Sequence, residues 1–390
     1  MIPRVAAETL VRLAGYYPIV AVTGPRQAGK TTLARAVFSR KPYVSLEDPD
    51  TREFAQSDPR AFLERYPDGA VIDEAQRCPE LFSYLQTRVD SDRRMGLFVL
   101  TGSAQFGLLT GISQSLAGRV GLVHLLPFSL DEIAEVSPPA GLEEMLRRGL
   151  YPPVIDREIP AETWYADYVA TYVERDARQL VNVRDLSAFR RFVRMCAART
   201  AQVVNLSSLA ADCGITRNTA KAWLSTLEAS YIAFLLPPHH RNFGKRLTKA
   251  PKLFFYDPGL AAWLAGIRSA KEIETGHYRG ALFETWVVAE FVKYRCHRGL
   301  QPELHFWRSS AGDEIDLVVG GGGTLYPVEI KSGRTVARDW FDPLEKFMAL
   351  SSGRDGAIVY GGVQGQRRNG IGVFGWNRVR DAAAAAFEER

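Results

Sequence analysis

The stretch "YPIVAVTGPRQAGKTTLAR" at residues 17–35 decides the fold of the N-terminal part of the chain. Its first half is a short, mostly β-branched apolar run of the kind that a buried parallel strand needs, and it leads directly into Gly24. From Gly24 to Thr31 the spacing is GxxxxGKT, and the residues that follow have helical periodicity. A glycine loop between a strand and a helix predicts a loop that wraps a phosphate group.

The residue types in this loop suit phosphate chemistry. Gly24 and Gly29 let backbone amides curl around a phosphate, and the helix N-terminus adds a partial positive charge. We expect Lys30 to reach the β and γ phosphates of ATP and Thr31 to place its hydroxyl on Mg²⁺. Arg26 and Thr32 are further candidates for contacts with phosphate or with a partner.

An acidic pair ends the next predicted strand, in "GAVIDEAQRCP" at residues 69–79. On a buried strand Asp73 would face the Mg²⁺ shell, while Glu74 could polarise the attacking water as general base. Another apolar run, "GLFVLTGSAQ" at residues 96–105, ends in Thr101 and Ser103, which could sense the γ-phosphate. The predicted ATP site comprises these residues: Gly24, Pro25, Arg26, Gln27, Ala28, Gly29, Lys30, Thr31, Thr32, Asp73 and Ser103.

Arg119 is a candidate catalytic residue in the segment "SQSLAGRVGLVHLLPFSLDEI" at residues 113–133. Its guanidinium group could stabilise transition-state charge on the phosphate, either in its own chain or in a neighbouring subunit. A surface salt bridge explains a single arginine equally well. Because a role in a neighbouring subunit requires a dimer or a ring, a homo-oligomer is expected.

A helix-turn-helix pattern follows in the middle of the chain, in "NLSSLAADCGITRNTAKAWLSTLEASYIAFLL" at residues 205–236. It reads as a short helix, a turn at Gly214, a second helix capped by Thr216, and an apolar strand, which together predict a winged helix. Arg217, Asn218 and Lys221, with Thr219, fall at the start of the second helix, where such folds present side chains to the DNA major groove. The alternative is a winged helix that packs against protein.

A basic run begins directly after this pattern. Arg241, Lys245, Arg246, Lys249 and Lys252 lie close together without acidic neighbours. A basic wing beside a helix-turn-helix is suited to DNA phosphates, although five like charges on a loop also occur as a solvated tip. Both interpretations stay open.

The C-terminal part contains acidic residues within apolar segments, which is unusual for charged side chains. Glu284 lies on the predicted helix at residues 279–295, and Asp316 on the strand that precedes four glycines at residues 320–323. The returning strand "TLYPVEIKSG" carries Glu329 and Lys331, whose i, i+2 spacing directs both side chains to one face. Two carboxylates and a lysine on adjacent strands are suited to metal-assisted phosphodiester hydrolysis, with Mg²⁺ or Mn²⁺ held by Asp316 and Glu329.

These motifs resemble two known groups. Residues 15–135, with "GPRQAGKTTL", "VIDEAQ" and "LTGSAQF…SLAGR…LLPFSLDE", resemble the AAA-type ATPases, whose usual partner is a C-terminal domain of the DUF4143 type that the tail also resembles. The set of Asp316, Glu329 and Lys331 resembles the PD-(D/E)xK nuclease core, and Glu284 matches the additional acid that many of these nucleases place near the metal. Ile315 stands where the name of that group has proline, a position that varies within it. The resemblance implies an ATPase coupled to a DNA-related module.

Composition sets the broad class of the protein. The chain has 390 residues, 46% hydrophobic and 24% charged, with a net charge of +5, which fits a globular protein of two or three domains and favours anionic partners only mildly. Four widely spaced cysteines form no CxxC pair, which argues against a zinc site and fits a reducing compartment. No run reaches the length of a membrane span, so a cytoplasmic location is expected.

The sequence therefore predicts an α/β protein with a P-loop AAA-type ATPase core at residues 1–135 and a helical lid or connector at 136–200. A winged helix-turn-helix would follow at 201–260 and a restriction-endonuclease-like α/β domain at 261–390. The predicted function is ATP-regulated, metal-dependent DNA cleavage. One alternative is a nucleotide-switched DNA-binding ATPase with a silent nuclease fold, and another is a motor or assembly ATPase that works on protein.

Overall fold

The computed structural model describes residues 2–102, 105–173, 185–239, 250–309, 312–321, 324–351 and 353–388. By its internal packing the chain divides into two compact units. The first consists of Met1–Pro127, Ala229–Tyr231 and Arg295–Leu300. The second consists of Phe128–Glu228, Ile232–Tyr294 and Gln301–Arg390.

The first unit is built on a parallel sheet with strand order β2-β3-β4-β1-β5. Its strands are β1 (Ile19–Thr23), β2 (Tyr43–Ser45), β3 (Val71–Asp73), β4 (Phe98–Thr101) and β5 (Val120–His124). Its helices are α1 (Ala6–Ala14), α2 (Lys30–Val37), α3 (Pro49–Ser57), α4 (Pro59–Glu64), α5 (Leu81–Ser91) and α6 (Gln105–Ser115). This is the parallel α/β architecture that the sequence predicts.

Alternating residues of β1 explain why both faces of this sheet are covered. Ile19 and Ala21 pack into one apolar cluster with Phe82 of α5, while Val20 and Val22 pack into another with residues of α1 and α2. A strand buried on both faces reads as a continuous apolar run, as the sequence does here. Because the strands are parallel, their carboxyl ends meet at one edge, and the loop after β1 lies at that edge.

The middle part of the second unit is helical. It contains α7 (Leu130–Ile133), α8 (Leu142–Arg148), α9 (Pro152–Ile155), α10 (Ala161–Tyr168), α11 (Leu186–Ala198), α12 (Leu206–Cys213), α13 (Arg217–Ala229), α14 (Pro258–Leu264) and α15 (Ala270–Thr275). A three-stranded antiparallel sheet of order β6-β8-β7 accompanies α12 and α13, with β6 (Gln202–Val203), β7 (Ala233–Leu236) and β8 (Lys252–Phe255). Gly214 ends α12 with φ of 68°, a left-handed conformation that glycine adopts readily. Two helices joined by a short turn and flanked by the strands of a small sheet are compatible with the predicted winged helix, which stays a prediction.

The C-terminal part is a mixed sheet of order β13-β14-β12-β11-β10-β9. Its strands are β9 (Leu304–Arg308), β10 (Glu314–Gly321), β11 (Thr324–Lys331), β12 (Gly356–Tyr360), β13 (Gln366–Arg368) and β14 (Ile371–Gly375). β10 and β11 form the antiparallel hairpin that the glycine run predicts, and β11, β12 and β14 are parallel. The helices of this part are α16 (Arg279–Cys296), α17 (Asp342–Ser351) and α18 (Val379–Glu388). The mixed sheet confirms a separate C-terminal α/β domain, while its restriction-endonuclease likeness stays a prediction.

Candidate functional site

The loop after β1 has the backbone that a phosphate loop requires. Gly24 and Gly29 have φ of 146° and 90°, and a Cβ on Gly24 would collide with the backbone oxygen of Leu125. Gln27 is also in the left-handed region, with φ of 64°, and α2 begins at Lys30 directly after the loop. These conformations curl the loop around the N-terminus of α2, where backbone N–H groups are available to an anion.

Two buried cations hold the loop. Lys30 donates from Nζ to the backbone oxygens of Gly24 and Pro25, at 3.1 and 2.7 Å. Arg4 donates to the backbone oxygens of Ala28 and Leu126, at 2.8 and 2.7 Å. The Lys30 ammonium therefore already lies inside the loop, within reach of a bound phosphate. Sequence reasoning missed Arg4, because nothing in the local pattern links it to a loop twenty-four residues later.

Asp73 accepts hydrogen bonds from three hydroxyl groups. Thr31 Oγ1 lies 3.1 and 3.2 Å from its two carboxylate oxygens, and Tyr43 donates to Oδ2 at 2.9 Å. Thr101 donates to Oδ1. The pairing of the loop threonine with the strand-end aspartate fits a Mg²⁺ ion, because hard oxygen donors are what this ion prefers.

Tyr43 is a site residue that the sequence did not reveal. It lies on the edge strand β2, and burial together with its bond to Asp73 raises the pKa of its hydroxyl. The Arg35 guanidinium stacks over its ring at 4.7 Å. Tyr43, Arg35, Thr31 and Thr32 line an open cleft of about 530 Å³ beside the phosphate loop. Thr32 also lines this cleft, and its contact with a phosphate stays a prediction.

Glu74 follows Asp73 in a left-handed conformation, with φ of 54°. Gln76 donates from Nε2 to Glu74 Oε2 at 2.5 Å, which fixes the carboxylate beside the carboxyl ends of the strands. This placement is compatible with the predicted role of general base, which stays a prediction. Ser103 lies outside the described residues. Of the other predicted loop residues, Arg26 is half-buried, Gln27 exposed and Ala28 buried.

The prediction that Arg119 acts on the phosphate in its own chain is wrong. Arg119 directly precedes β5, and Val120 pairs with Ile19 at the start of β1, so Arg119 lies at the sheet edge opposite the phosphate loop. The five residues of β1 separate the two edges by about 16 Å. Arg119 forms a bidentate pair with Asp90, at 2.6 and 2.8 Å, and this is the surface salt bridge that the sequence left open.

A polar cluster at the end of β1 also escaped the sequence analysis. Thr23 Oγ1 lies 2.8 Å from the Tyr231 hydroxyl and 2.9 Å from His124 Nδ1, and these two lie 2.7 Å apart. Burial lowers the pKa of His124 to about 4, so its ring is neutral near pH 7. The three side chains attach residue 231 to the strand that leads into Gly24.

The second candidate site brings all four predicted C-terminal residues together. Asp316 on β10 accepts a hydrogen bond from the backbone nitrogen of Ile330 at 2.8 Å. On β11, Lys331 Nζ lies 2.5 Å from Glu329 Oε1. Burial and the nearby Asp316 charge raise the pKa values of Glu329 and Glu284 to about 8, and burial raises that of Asp316. Burial and neighbouring negative charge both favour the neutral form of a carboxyl group, and here they outweigh the opposing effect of the lysines.

Lys252 corrects one sequence-based interpretation. The sequence counts it among the basic residues of a DNA-facing loop, but it is only 4% exposed and lies on β8. Its ammonium group is 2.8 Å from Glu284 Oε1, 2.6 Å from Glu314 Oε1 and 4.0 Å from Asp316 Oδ1. Glu284 is therefore paired with a lysine, which does not support its predicted role as a metal ligand. Sequence reasoning missed Lys252 and Glu314 as members of this cluster.

The fit of a metal ion here is partial. Across the part of the chain that the structure describes, no group of three or more His, Cys, Asp or Glu side chains is placed to hold a metal ion. Asp316 and Glu329 remain as a pair of carboxylates, and Glu329 Oε2 is buried without a hydrogen-bond partner. Mg²⁺ is commonly held by only one or two carboxylates and keeps several waters. The pair fits one such ion, whereas the Glu284 side of the cluster does not.

The structure describes some of the predicted DNA-contacting residues and not others. Arg217, Asn218 and Lys221 are exposed at the start of α13, where Thr216 caps the helix by accepting from the backbone nitrogen of Thr219 at 3.1 Å. The remaining four, Arg241, Lys245, Arg246 and Lys249, lie outside the described residues.

Within the described residues, no helix is long and apolar enough to cross a membrane.

Comparison with known protein families assigns the three parts of the chain. Residues 16–134 match a family described as an AAA domain. Residues 140–271 and 279–378 match domains of unknown function, DUF8612 and DUF4143. The first match confirms the predicted AAA resemblance, and the last confirms the predicted DUF4143 tail.

Two curated relatives cover most of the chain. Uncharacterized protein Rv2008c of Mycobacterium tuberculosis and uncharacterized protein Mb2031c of Mycobacterium bovis are each 33% identical to it over 335 residues. These matches span 85% of this chain and 74% of each relative.

Solved structures are similar at a lower level. A Walker-type ATPase of Pyrococcus abyssi is 16% identical, covers 66% of this chain and 94% of its own, and has a TM-score of 0.47. AMPPCP-bound DnaA from Aquifex aeolicus is 14% identical, covers 57% of this chain and 86% of its own, and has a TM-score of 0.31. These scores are too low to assign a fold, so the assignment rests on the AAA domain and the mycobacterial relatives: the chain belongs to their family and is a P-loop ATPase of the AAA type.

Proposed function

We propose that this ATPase controls metal-dependent cleavage of DNA by its C-terminal domain. The observation that carries the proposal is the convergence of Asp316, Glu329 and Lys331 in one partly buried cluster on adjacent strands. Buried carboxyl groups with raised pKa values beside a lysine are typical of sites that perform acid–base or cation-assisted chemistry. Burying such groups is costly, so they are rarely retained without a role.

On the ATP side, each residue has a task that its position allows. The loop amides and Lys30 bind the phosphates, and Thr31 with Asp73 would hold Mg²⁺. Glu74, fixed by Gln76, accepts a proton from the attacking water. Thr101 keeps the Asp73 carboxylate in place through its hydroxyl. In this mechanism the groups are already oriented before the nucleotide binds, which lowers the cost of organising the transition state.

On the DNA side, Asp316 and Glu329 would hold Mg²⁺ or Mn²⁺, which supplies charge stabilisation for the cleaved phosphate. The Ile330 backbone nitrogen orients the Asp316 carboxylate. Lys331, paired with Glu329, provides a positive charge next to the phosphate. The exposed start of α13, with Arg217, is suited to contact a DNA backbone.

A second function is favoured by one observation. The Lys252 ammonium lies among the carboxylates of Glu284, Glu314 and Asp316, where a second metal ion would otherwise be expected. A cluster neutralised in this way suits a nucleotide-switched DNA-binding ATPase whose nuclease-like fold serves as a binding or assembly surface.

Under both functions we propose that the protein forms a homo-oligomer. Light scattering with and without ATP would test this proposal by measuring the molar mass in solution.

The deciding experiment compares the parent protein with Lys331→Ala on supercoiled and linear DNA, in Mg²⁺ or Mn²⁺, with and without ATP. Cleavage that is lost in Lys331→Ala while its ATPase rate and DNA affinity persist would support the first function. Lys30→Ala tests the coupling, because cleavage that ignores ATP in both proteins would contradict regulation. A parent protein that hydrolyses ATP, binds DNA and cuts no substrate would favour the second function.

A further inference from the structure

Lys252 is held in place by its backbone from both sides. It lies on β8, the central strand of the three-stranded sheet, where it pairs with Val203 of β6 and Leu236 of β7. Its side chain is buried, and its ammonium group lies 5.5 Å from the centre of the Phe306 ring. The ladder fixes the backbone of Lys252, while burial and its ion pairs with Glu284 and Glu314 confine the side chain. The cation is therefore a fixed part of the acidic cluster.

Three carboxyl groups surround the Lys252 ammonium group, those of Glu284, Glu314 and Asp316. Its distances to Glu284 and Glu314, 2.8 and 2.6 Å, are those of charge-assisted hydrogen bonds. Arg308 contacts Glu314 from the more exposed side, at 3.5 Å.

The same geometry does not suit a divalent ion at this position. Mg²⁺ requires ligand oxygens at about 2.0–2.1 Å, closer than oxygens arranged around an ammonium group. The Glu284 and Glu314 carboxylates would have to move inward, and the ammonium group would have to leave. By contrast, Glu329, which pairs with Lys331 and not with Lys252, has its Oε2 buried without a hydrogen-bond partner. The two halves of the cluster therefore differ in what they can bind.

We propose that Lys252 determines the cation occupancy of this cluster: its ammonium group replaces a divalent ion between Glu284 and Glu314 and leaves a single divalent site at Asp316 and Glu329. The inference deepens the proposed cleavage function and rests on it for its biological meaning. Lys252 is thus a specificity-determining residue, and Glu284 with Glu314 are its counter-ions.

The test is Mn²⁺ binding without nucleotide, measured by electron paramagnetic resonance titration of the full-length protein. We expect Lys252→Met to bind one more Mn²⁺ per chain than the parent, because the Glu284 and Glu314 carboxylates are then free of the ammonium group. Lys252→Arg, which keeps the charge, should bind as the parent does. Lys346→Met is the matched surface control, since it removes a largely exposed lysine whose amino group lies 3.7 Å from Asp313. Equal Mn²⁺ binding by Lys252→Met and the parent would overturn the inference.

A second variant keeps the test decisive if Lys252→Met does not fold. Glu284→Gln keeps an oxygen acceptor for Lys252, and we expect it to leave the Mn²⁺ affinity of the parent unchanged, because Glu284 is not a metal ligand. A loss of about tenfold or more in Glu284→Gln would identify Glu284 as a metal ligand and refute the assignment. The outcome is separable from the cleavage proposal. A parent that binds no Mn²⁺ contradicts metal-dependent cleavage and the divalent site at Asp316 and Glu329, while Mn²⁺ binding gained in Lys252→Met still supports the role of Lys252.

Discussion

Removing the Tyr43 hydroxyl tests whether the edge strand takes part in ATP hydrolysis. Tyr43→Phe deletes the 2.9 Å hydrogen bond to Asp73 Oδ2 and leaves the donors Thr31 and Thr101 in place. A hydrogen bond to a charged group contributes about 1.5–3 kcal/mol when buried. Because Tyr43 is 39% exposed, water replaces part of the lost bond, and we expect a cost of about 1 kcal/mol. This corresponds to a decrease of about fivefold in kcat.

The assay is steady-state ATP hydrolysis at varied ATP and varied Mg²⁺, with direct binding of a fluorescent ATP analogue. If Tyr43 positions Asp73, kcat falls and the Mg²⁺ concentration for half-maximal rate rises, while the affinity for the nucleotide stays the same. Tyr84→Phe is the matched control, since Tyr84 is also 39% exposed and lies on α5 away from Asp73. An unchanged kcat and Mg²⁺ dependence, or a loss confined to nucleotide affinity, would refute the reasoning.

The remaining predictions concern Arg119 and His124. Arg119→Ala should leave the rate of ATP hydrolysis by the isolated chain unchanged, since Arg119 pairs with Asp90 at the sheet edge opposite the phosphate loop. A loss of rate that appears only at protein concentrations where subunits associate would instead reveal a role of Arg119 in a neighbouring subunit. Folding lowers the pKa of His124 from 6.5 to about 4, so between these pH values the unfolded chain binds a proton that the folded protein does not. The free energy of unfolding therefore falls as the pH drops from 6.5 towards 4, by at most about 3 kcal/mol. Urea unfolding at pH 7 and pH 5 should show a smaller loss in His124→Gln than in the parent, and equal losses would contradict the assignment.

The nucleotide site shows how far local sequence reaches. Gly24, Lys30 and Thr31 belong to one contiguous motif, and Asp73 ends an apolar run that reads as a buried strand. Parallel strands bring such strand ends to one edge, so the contact between Thr31 and Asp73 follows from the pattern. Tyr43 and Arg4 follow from no pattern, because an isolated tyrosine on an edge strand and an arginine near the N-terminus look like ordinary surface residues.

The C-terminal cluster likewise contains both residues that the sequence predicts and residues that it does not. The i, i+2 spacing of Glu329 and Lys331 and the glycine hairpin after Asp316 predicted that these side chains share a face, and their ion pair and pKa shifts agree. The sequence shows that Lys252 is charged, but it does not show in which direction the side chain points. Its neighbours in the sequence are basic and predict a basic loop, whereas the pairing of β8 with β6 and β7 directs Lys252 into the acidic cluster.

By itself the sequence determined the phosphate loop, the order of the AAA and DUF4143 parts and the carboxylates that meet in the second cluster, because each depends on residues close together in the chain or on strand periodicity. Only the tertiary structure decided that Arg119 lies at the wrong edge of its sheet, that Tyr43 bonds to Asp73, and that Lys252 occupies the acidic cluster. These facts depend on strand order and on pairing between distant segments. Side chains that meet only through such pairing leave no regular spacing in the sequence.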